Sequence, residues 1–313
     1  MKKKTAYRTR NWSEYNRALK QRGSLTVWIS KDALANWTTN ERTGEPGASP
    51  TYMNLAIETM ATVQAIYRQP GRQTQGLLQS IFELMNIDLP VPDHSTLSRR
   101  RKSLNVTLPL QDWSKPRHLV VDSTGVKVYG EGEWKVRQHG WSYRRTWLKL
   151  HLCVDESTLE IVSAVASTNN VSDAEVLSDL LEDVPGKIEQ VSADGAYDQR
   201  KCYDELNKHE AKATIPPRKG ARIWQHGNSK SERHKRDEDL RRVRQVGRKQ
   251  WKKESNYHQR SLAETTMFRF KTLFGDRLQT CQTANQFKEL LLKASILNRM
   301  THLGMPDTVE VNR

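Results

Sequence analysis

The order of apolar and polar runs between Pro116 and Lys219 restricts the fold more than any other feature of this chain. RHLVVDST opens it as a buried strand, with Leu119, Val120 and Val121 running straight into Asp122. A polar segment, GEGEWKVRQHGWSYRR at 130–145, follows. TWLKLHLCVD and LEIVSAVAST then alternate apolar and polar residues with period two, and ESTL between them supplies the hairpin turn. SDAEVLSDLLEDV reads as a capped amphipathic helix and KIEQVSADGAYD as a strand that ends on Asp194. QRKCYDELNKHE is helical, and AKATIPPRK is a short strand stopped by two prolines. Asp122 and Asp194 each follow an apolar strand, at the edge where open α/β sheets collect ligands. A single Asp in such a place is most often a cap or turn residue, so neither is evidence by itself.

With a further long helix late in the chain, this order describes a ribonuclease H-like α/β fold. We place that domain at 113–305, with a basic insertion at about 218–253 and a frayed tail at 306–313. The insertion holds 14 Lys/Arg against four Asp/Glu, a net +10, with Trp224 and Trp251 near its ends. Such a run is usually a solvated face, but its place between the last strand and the next helix favours a DNA-facing element. Trp224 is a candidate for stacking on a displaced base.

Residues 1–112 read as a mainly helical region. TGEPGASP, 43–50, is a loop. TYMNLAIETMATVQAIY sets Leu55, Thr59, Thr62, Val63 and Ile66 near helical spacing, with Thr51 available to cap. RQTQGLLQSIFELM puts Leu77, Leu78, Ile81 and Leu84 on one side of a second helix. Asp93 or His94 can cap a short basic helix from Ser95 to Leu104, with Leu97 and Leu104 inward. Helix, helix, turn and Arg-rich helix resembles a helix-turn-helix, with Arg99, Arg100 and Arg101 as candidate DNA contacts. An Arg cluster on an exposed helix is often only solvated, so charge elsewhere has to support the reading.

It does. The 313-residue chain carries a formal net charge of +15 and a pI of about 9.7, which points to a polyanionic partner, nucleic acid first. Residues 1–22 alone hold eight Lys/Arg against one Glu, either a solubilising tail or an arm along a phosphate backbone. No apolar run approaches the ~18 residues of a membrane span, so no membrane partner is expected. Cys153, Cys202 and Cys281 lie far apart without CxxC spacing, which argues for a reducing cytoplasm and against structural zinc or a disulfide framework.

The chemistry concentrates late in the chain, in YHQRSLAETTMFRFK. Tyr257, Arg260, Glu264 and Lys271 follow one another at three, four and seven residues. On one α-helix they would share an arc of roughly 60° along about 21 Å, with Leu262, Met267, Phe270, Leu273 and Phe274 on the other side. A lone helix with this face is usually just solvated. Two strand-end carboxylates upstream change that: Asp122, Asp194 and Glu264 form an ordered set able to converge on divalent cations held by oxygen ligands. No P-loop, glycine-rich dinucleotide turn or Ser–His–Asp elbow competes.

These four positions match the Y-x2-R-x3-E-x6-K signature of DDE transposases encoded by bacterial insertion sequences. The runs VVDSTGVKVYGEGEW, RRTWLKLHLCVDE and SADGAYD look like the insertion-sequence-five family, and the resemblance covers nearly the whole chain. It implies that Asp122, Asp194 and Glu264 bind two magnesium ions, with manganese able to substitute. It further implies that Tyr257, Arg260 and Lys271 lie along the terminal strand of the element, Arg260 and Lys271 neutralising phosphates. The implied partners are double-stranded DNA, as terminal inverted repeats and as target, and a second copy of the chain on the paired ends, in the bacterial cytoplasm at the nucleoid. Two readings on the same fold stand beside it: a domesticated DNA-binding regulator without catalysis, and a stand-alone metal-dependent nuclease. Asp155, Asp173 and Asp198 are set aside as a hairpin-turn, a helix first-turn and a helix-capping residue.

Overall fold

The computed structural model describes residues 6–39, 51–111, 113–128, 147–225 and 234–311. The loop expected at 43–50, the polar segment at 130–145, the first five residues of the basic arm and 226–233 of the insertion lie outside them. The chain divides into two compact units, Met1–Thr107 together with Ser295–Arg313, and Leu108–Ala294.

In the first unit a short strand β1 (Ala6–Thr9) precedes helices α1 (Trp12–Arg22), α2 (Leu25–Trp28) and α3 (Lys31–Ala35). Three more follow: α4 (Asn54–Tyr67), α5 (Gly71–Leu84) and α6 (His94–Arg101). α4 is the core helix, buried continuously from Thr59 to Ala65, and starts at Met53 without a side-chain cap, so Thr51 does not serve as one. α5 buries Thr74, Leu78, Ile81 and Phe82; Leu84, expected inside, is 84% exposed. α6 begins where expected, with Asp93 accepting from the Ser95 N–H at 2.8 Å, and it turns Leu97 inward. Its arginines are not equivalent. Arg101 is 5% exposed and donates to Gln64 of α4, so it is a core residue rather than the solvent-facing DNA contact expected from sequence. Arg100 donates to the Tyr52 carbonyl at 2.8 Å and to Asn54 at 2.7 Å, tying α6 to the start of α4. Arg99 lies exposed beside Thr96.

The second unit is a mixed α/β layer. β2 (Arg117–Lys127), β3 (Trp147–Asp155) and β4 (Ile161–Thr168) form an antiparallel meander. A 3-10 turn (Asp173–Glu175) closed by a Ser172/Glu175 capping box leads to α7 (Leu177–Glu182), so the single amphipathic helix expected there is split. β5 (Ile188–Ser192), α8 (Arg200–Lys208) and β6 (Lys212–Thr214) follow. The sheet order is β4-β3-β2-β5-β6, with β5 and β6 parallel to β2. β2 is therefore central, and Leu119, Val120 and Val121 are all buried because both faces of that strand are covered. On one face Leu119 and Val121 join Leu177, Leu180 and Leu181 of α7 and Leu206 of α8.

The basic insertion folds as α9 (Lys235–Val246) and α10 (Arg248–Glu254), joined at Gly247, whose φ of 80° needs a residue without a Cβ. Part of its charge is internal. Arg236 and Asp198 are 3% and 1% exposed and pair at 2.9 Å. Asp237, 1% exposed, accepts from the backbone N–H groups of Trp224 and Gln225. Asp198 is thus an anchor for the insertion, not the cap expected of it; Gln199 is the N-cap of α8. The Trp224 ring packs on the Arg236 guanidinium at 4.0 Å and edge-on against Tyr203 and His234, so its face is used in packing rather than offered to a base.

α11 (Ser261–Phe274) and α12 (Thr283–Leu303) complete the helices, and β7 (Thr308–Val311) replaces the frayed tail expected at 306–313. β7 pairs antiparallel with β1, Tyr7 opposite Glu310. Nearby, Arg22 donates to the Gly304 carbonyl at 2.7 Å and Asn11 to that of Met305 at 2.9 Å. The last residues are thus part of the N-terminal unit.

Two substitutions test this division of labour. Arg236→Ala strands the buried Asp198 charge and should cost about 3 kcal/mol or more in urea unfolding. Arg101→Ala should lower the thermal midpoint by several degrees while Arg99→Ala leaves it in place; equal midpoints for both would refute the buried role of Arg101.

Candidate active site

Asp122 stands in the middle of β2, opposite Leu152 of β3, with its side chain half-buried. Asp194 follows β5 and begins a 3-10 turn (Gly195–Tyr197), its Oδ1 accepting from the Ala196 N–H at 2.8 Å. That turn is clamped from the start of the insertion: Arg218 donates from Nε to the Gly195 carbonyl at 2.9 Å and from Nη2 to that of Ala196 at 2.8 Å. Its own N–H reaches Asp198 at 2.7 Å. Sequence reading offered no signal for this clamp, because it joins residues more than 20 positions apart.

The signature segment is not one helix. Asn256 adopts a left-handed conformation, φ 57°, which Asn tolerates better than most residues, and breaks the chain after α10. Tyr257–Arg260 is then a 3-10 turn and α11 starts only at Ser261. This re-aims the first two members of the expected stripe. Tyr257 is buried, 8% exposed, against Trp251, with Lys252 over its ring at 4.8 Å. Arg260 turns toward the sheet. Its Nη1 donates to Asp122 Oδ2 at 2.8 Å while its Nη2 donates to Glu264 Oε1. One guanidinium thus bridges the strand carboxylate and the helix carboxylate, where a phosphate contact was expected of it. Glu264 remains exposed in the first turn of α11, where the helix dipole favours an anion. Lys271 sits two turns further on, partly exposed and without an ion-pair partner among the described residues. Below them Ala263, Thr266, Met267, Phe270 and Phe274 bury the opposite side of the helix, and Gly275, φ 79°, ends it.

Electrostatics bring Asp194 into the same group. Burial pushes the Asp122 carboxyl above its usual range; the Ser123 N–H and Arg260 pull it down, and the charges of Asp194 and Glu264 push it up again. Burial also raises the Tyr257 hydroxyl, with Asp194, Asp122 and Glu264 all adding to the rise against Arg260. Asp122 and Tyr257 therefore each feel the charges of both Asp194 and Glu264. Among the described residues no three acids, histidines or cysteines already stand as a closed metal-ligand set. The donor chemistry nevertheless fits a hard divalent cation: Asp122 and Glu264 share the Arg260 counter-charge, and Asp194 adds a third carboxylate whose charge acts on Asp122.

The other acids lie elsewhere. Asp155 accepts from Ser157 and Thr158 in its hairpin turn and pairs with Arg117 at 3.0 Å. Asp173 pairs with Lys149 at 3.1 Å. Arg99, Arg100 and Arg101 belong to the first unit and Trp224 to the packing of the insertion, so none of these four joins the carboxylates. Phe268 was missed by the sequence reading: it lies on the Glu264 side of α11 and is 71% exposed.

Comparison with solved structures finds a piggyBac transposase synaptic complex with hairpin DNA at 14% identity and a TM-score of 0.43, over 89% of this chain and 74% of that one. A Drosophila P element transposase strand transfer complex matches at 12% identity and a TM-score of 0.30, over 66% and 47%. At these values neither assigns a role to any residue here. Family models are decisive: two, each described as a transposase DDE domain, match residues 20–131 and 113–299. The second spans more than half of the chain, from before Asp122 into the last turns of α12, and the protein belongs to the transposase DDE-domain family.

Proposed function

We propose that this transposase binds the terminal inverted repeats of its own element, hydrolyses the DNA to expose 3′-OH ends and joins them to target DNA. The observation that carries the reading is the convergence of Asp122 and Glu264 on Arg260, with Asp194 close enough to raise the Asp122 carboxyl. The strand order β4-β3-β2-β5-β6, with the helix carboxylate brought over the central strand, supports a ribonuclease H-like catalytic core. Asp122, Asp194 and Glu264 would hold magnesium. Bound there, a pair of such ions supplies activation of the attacking hydroxyl and stabilisation of the leaving 3′ oxygen.

The chain's own residues do the rest. Arg260 offsets the repulsion of Asp122 and Glu264 and holds the start of α11 against β2. Arg218 fixes the turn that carries Asp194. Lys271, on the exposed side of α11, is the cation available for the phosphates of the terminal strand. The helical first unit, with Arg99 outward and a net basic arm, is the candidate reader of the repeats; two copies would pair the two ends. The insertion-sequence-five assignment rests on the quoted sequence runs alone.

The direct test is cleavage of the inverted repeats flanking the gene, with and without magnesium. Asp122→Asn, Asp194→Asn and Glu264→Gln should each reduce cutting below detection while retaining the footprint on the repeats. Joining by the Glu264→Gln protein in magnesium would refute the assignment. Repeat-independent cutting would favour the stand-alone nuclease, and binding without any cutting the regulator.

Stability separates catalysis from folding at Asp122. Its folded pKa lies above the unfolded value, so the ionised form is the less favourable one in the native protein, and the penalty is present at neutral pH and fades as pH falls through the folded value. Metal-free Asp122→Asn should therefore melt at or above the wild-type temperature at pH 7, the difference shrinking toward pH 4. A lower midpoint at pH 7 would mean that the Arg260 pair outweighs burial.

A further inference from the structure

We propose that Phe268 is a wedge that stacks on a base at the cleaved DNA end, an inference that rests on the transposase reading above. Among the described residues of Leu108–Ala294, Phe268 is the only large hydrophobic side chain left strongly exposed, at 71%. The others on the surface, Tyr7, Trp12, Leu84 and Met85 among them, all belong to the first unit. Nothing about α11 forces the exposure, since the helix already buries Met267, Phe270 and Phe274 on its other side.

Position gives the exposed ring its meaning. Phe268 follows Glu264 by four residues and precedes Lys271 by three, so the ring lies one turn from the carboxylate and one turn from the free cation on the same side. Its surroundings on that side are polar: Glu264, Thr265 and Thr272 are exposed. A single ring ringed by polar groups is far smaller than the several hundred Å² that a protein partner needs. It does suit a partner that is itself a flat ring on an anionic backbone, which a nucleotide is. With Lys271 on the phosphate, Phe268 faces the base beside the bond to be cut, and an apolar side chain pushed between base pairs unstacks them. Opening the terminal pair would let the strand reach carboxylates set down in the sheet.

The probe is a duplex of the inverted repeat flanking the gene, with 2-aminopurine at each of the end nucleotides in turn. Binding by the cleavage-dead Asp122→Asn protein should raise fluorescence at one of them. Adding Phe268→Ala should abolish that rise and leave the footprint in place; Phe268→Tyr should keep it. In the otherwise wild-type protein, Phe268→Ala should cut paired ends about tenfold more slowly, and ends with mismatched terminal pairs at nearly the wild-type rate. The thermal midpoint of Phe268→Ala should be unchanged, because the ring is exposed. An undiminished fluorescence rise, or the same deficit on paired and mismatched ends, would overturn the wedge while wild-type cleavage still upheld the transposase reading. Absence of magnesium-dependent cutting by the wild type would remove both.

Discussion

Everything at the site depends on the Arg260 guanidinium that ties Asp122 to Glu264, two like charges whose approach costs free energy in any fold. Desolvation, with the charges of Asp194 and Glu264, favours the neutral form of Asp122, and the upward shift of that carboxyl records the cost. Arg260 meets it with one planar cation that contacts two of the three, a use to which the guanidinium fork is better suited than an ammonium. The bridge also has a mechanical side. It joins the central strand to the first turn of α11, so the position of the helix, and of every side chain along it, is referred to Asp122.

The basic insertion shows how misleading a charge total can be. Its Arg236 and Asp237 are interior residues, and Trp224, Tyr203 and His234 close around them as a small satellite of the core. Asp198 lies in the same turn region as Asp194, and Arg218, the first residue of the insertion, grips that turn by two carbonyls. The element that brings positive charge is thereby fastened to the loop that carries Asp194. Arg241 pairs with Glu238 and Arg242 with Glu254, so the exposed charge left for a partner outside includes Lys249 and Lys253.

Much of this was legible in the residues. Apolar runs such as LVVD mark the central strand, and although β3 is buried at every residue from Leu150 to Asp155 rather than alternately, the order of strands and helices in the second unit could be read. Asp122 and Asp194 stood out because each ends an apolar run, although β2 does not stop at Asp122 as expected but continues five residues further to Lys127. What could not be read depends on single backbone angles or on distant pairing. The left-handed Asn256 turned Tyr257 inward and Arg260 toward the sheet, whereas spacing alone put both on a continuous helical face. Arg101 looked like its neighbours Arg99 and Arg100, because only tertiary packing distinguishes a guanidinium that meets Gln64 from one that meets water.

The pairing of β1 with β7 joins the beginning of the chain to its end. Folding during synthesis usually proceeds from the N-terminus, and a ribosome adds roughly 5–20 residues per second. β1 therefore emerges tens of seconds before the strand that completes it, and α1 waits equally long for the carbonyls of Gly304 and Met305. The helical unit is completed only after Leu108–Ala294 has been made, so a prematurely terminated chain lacks the β7 partner of β1 and the carbonyls that hold α1. The N-terminal unit is thus completed last, on a molecule that already carries Asp122, Asp194 and Glu264.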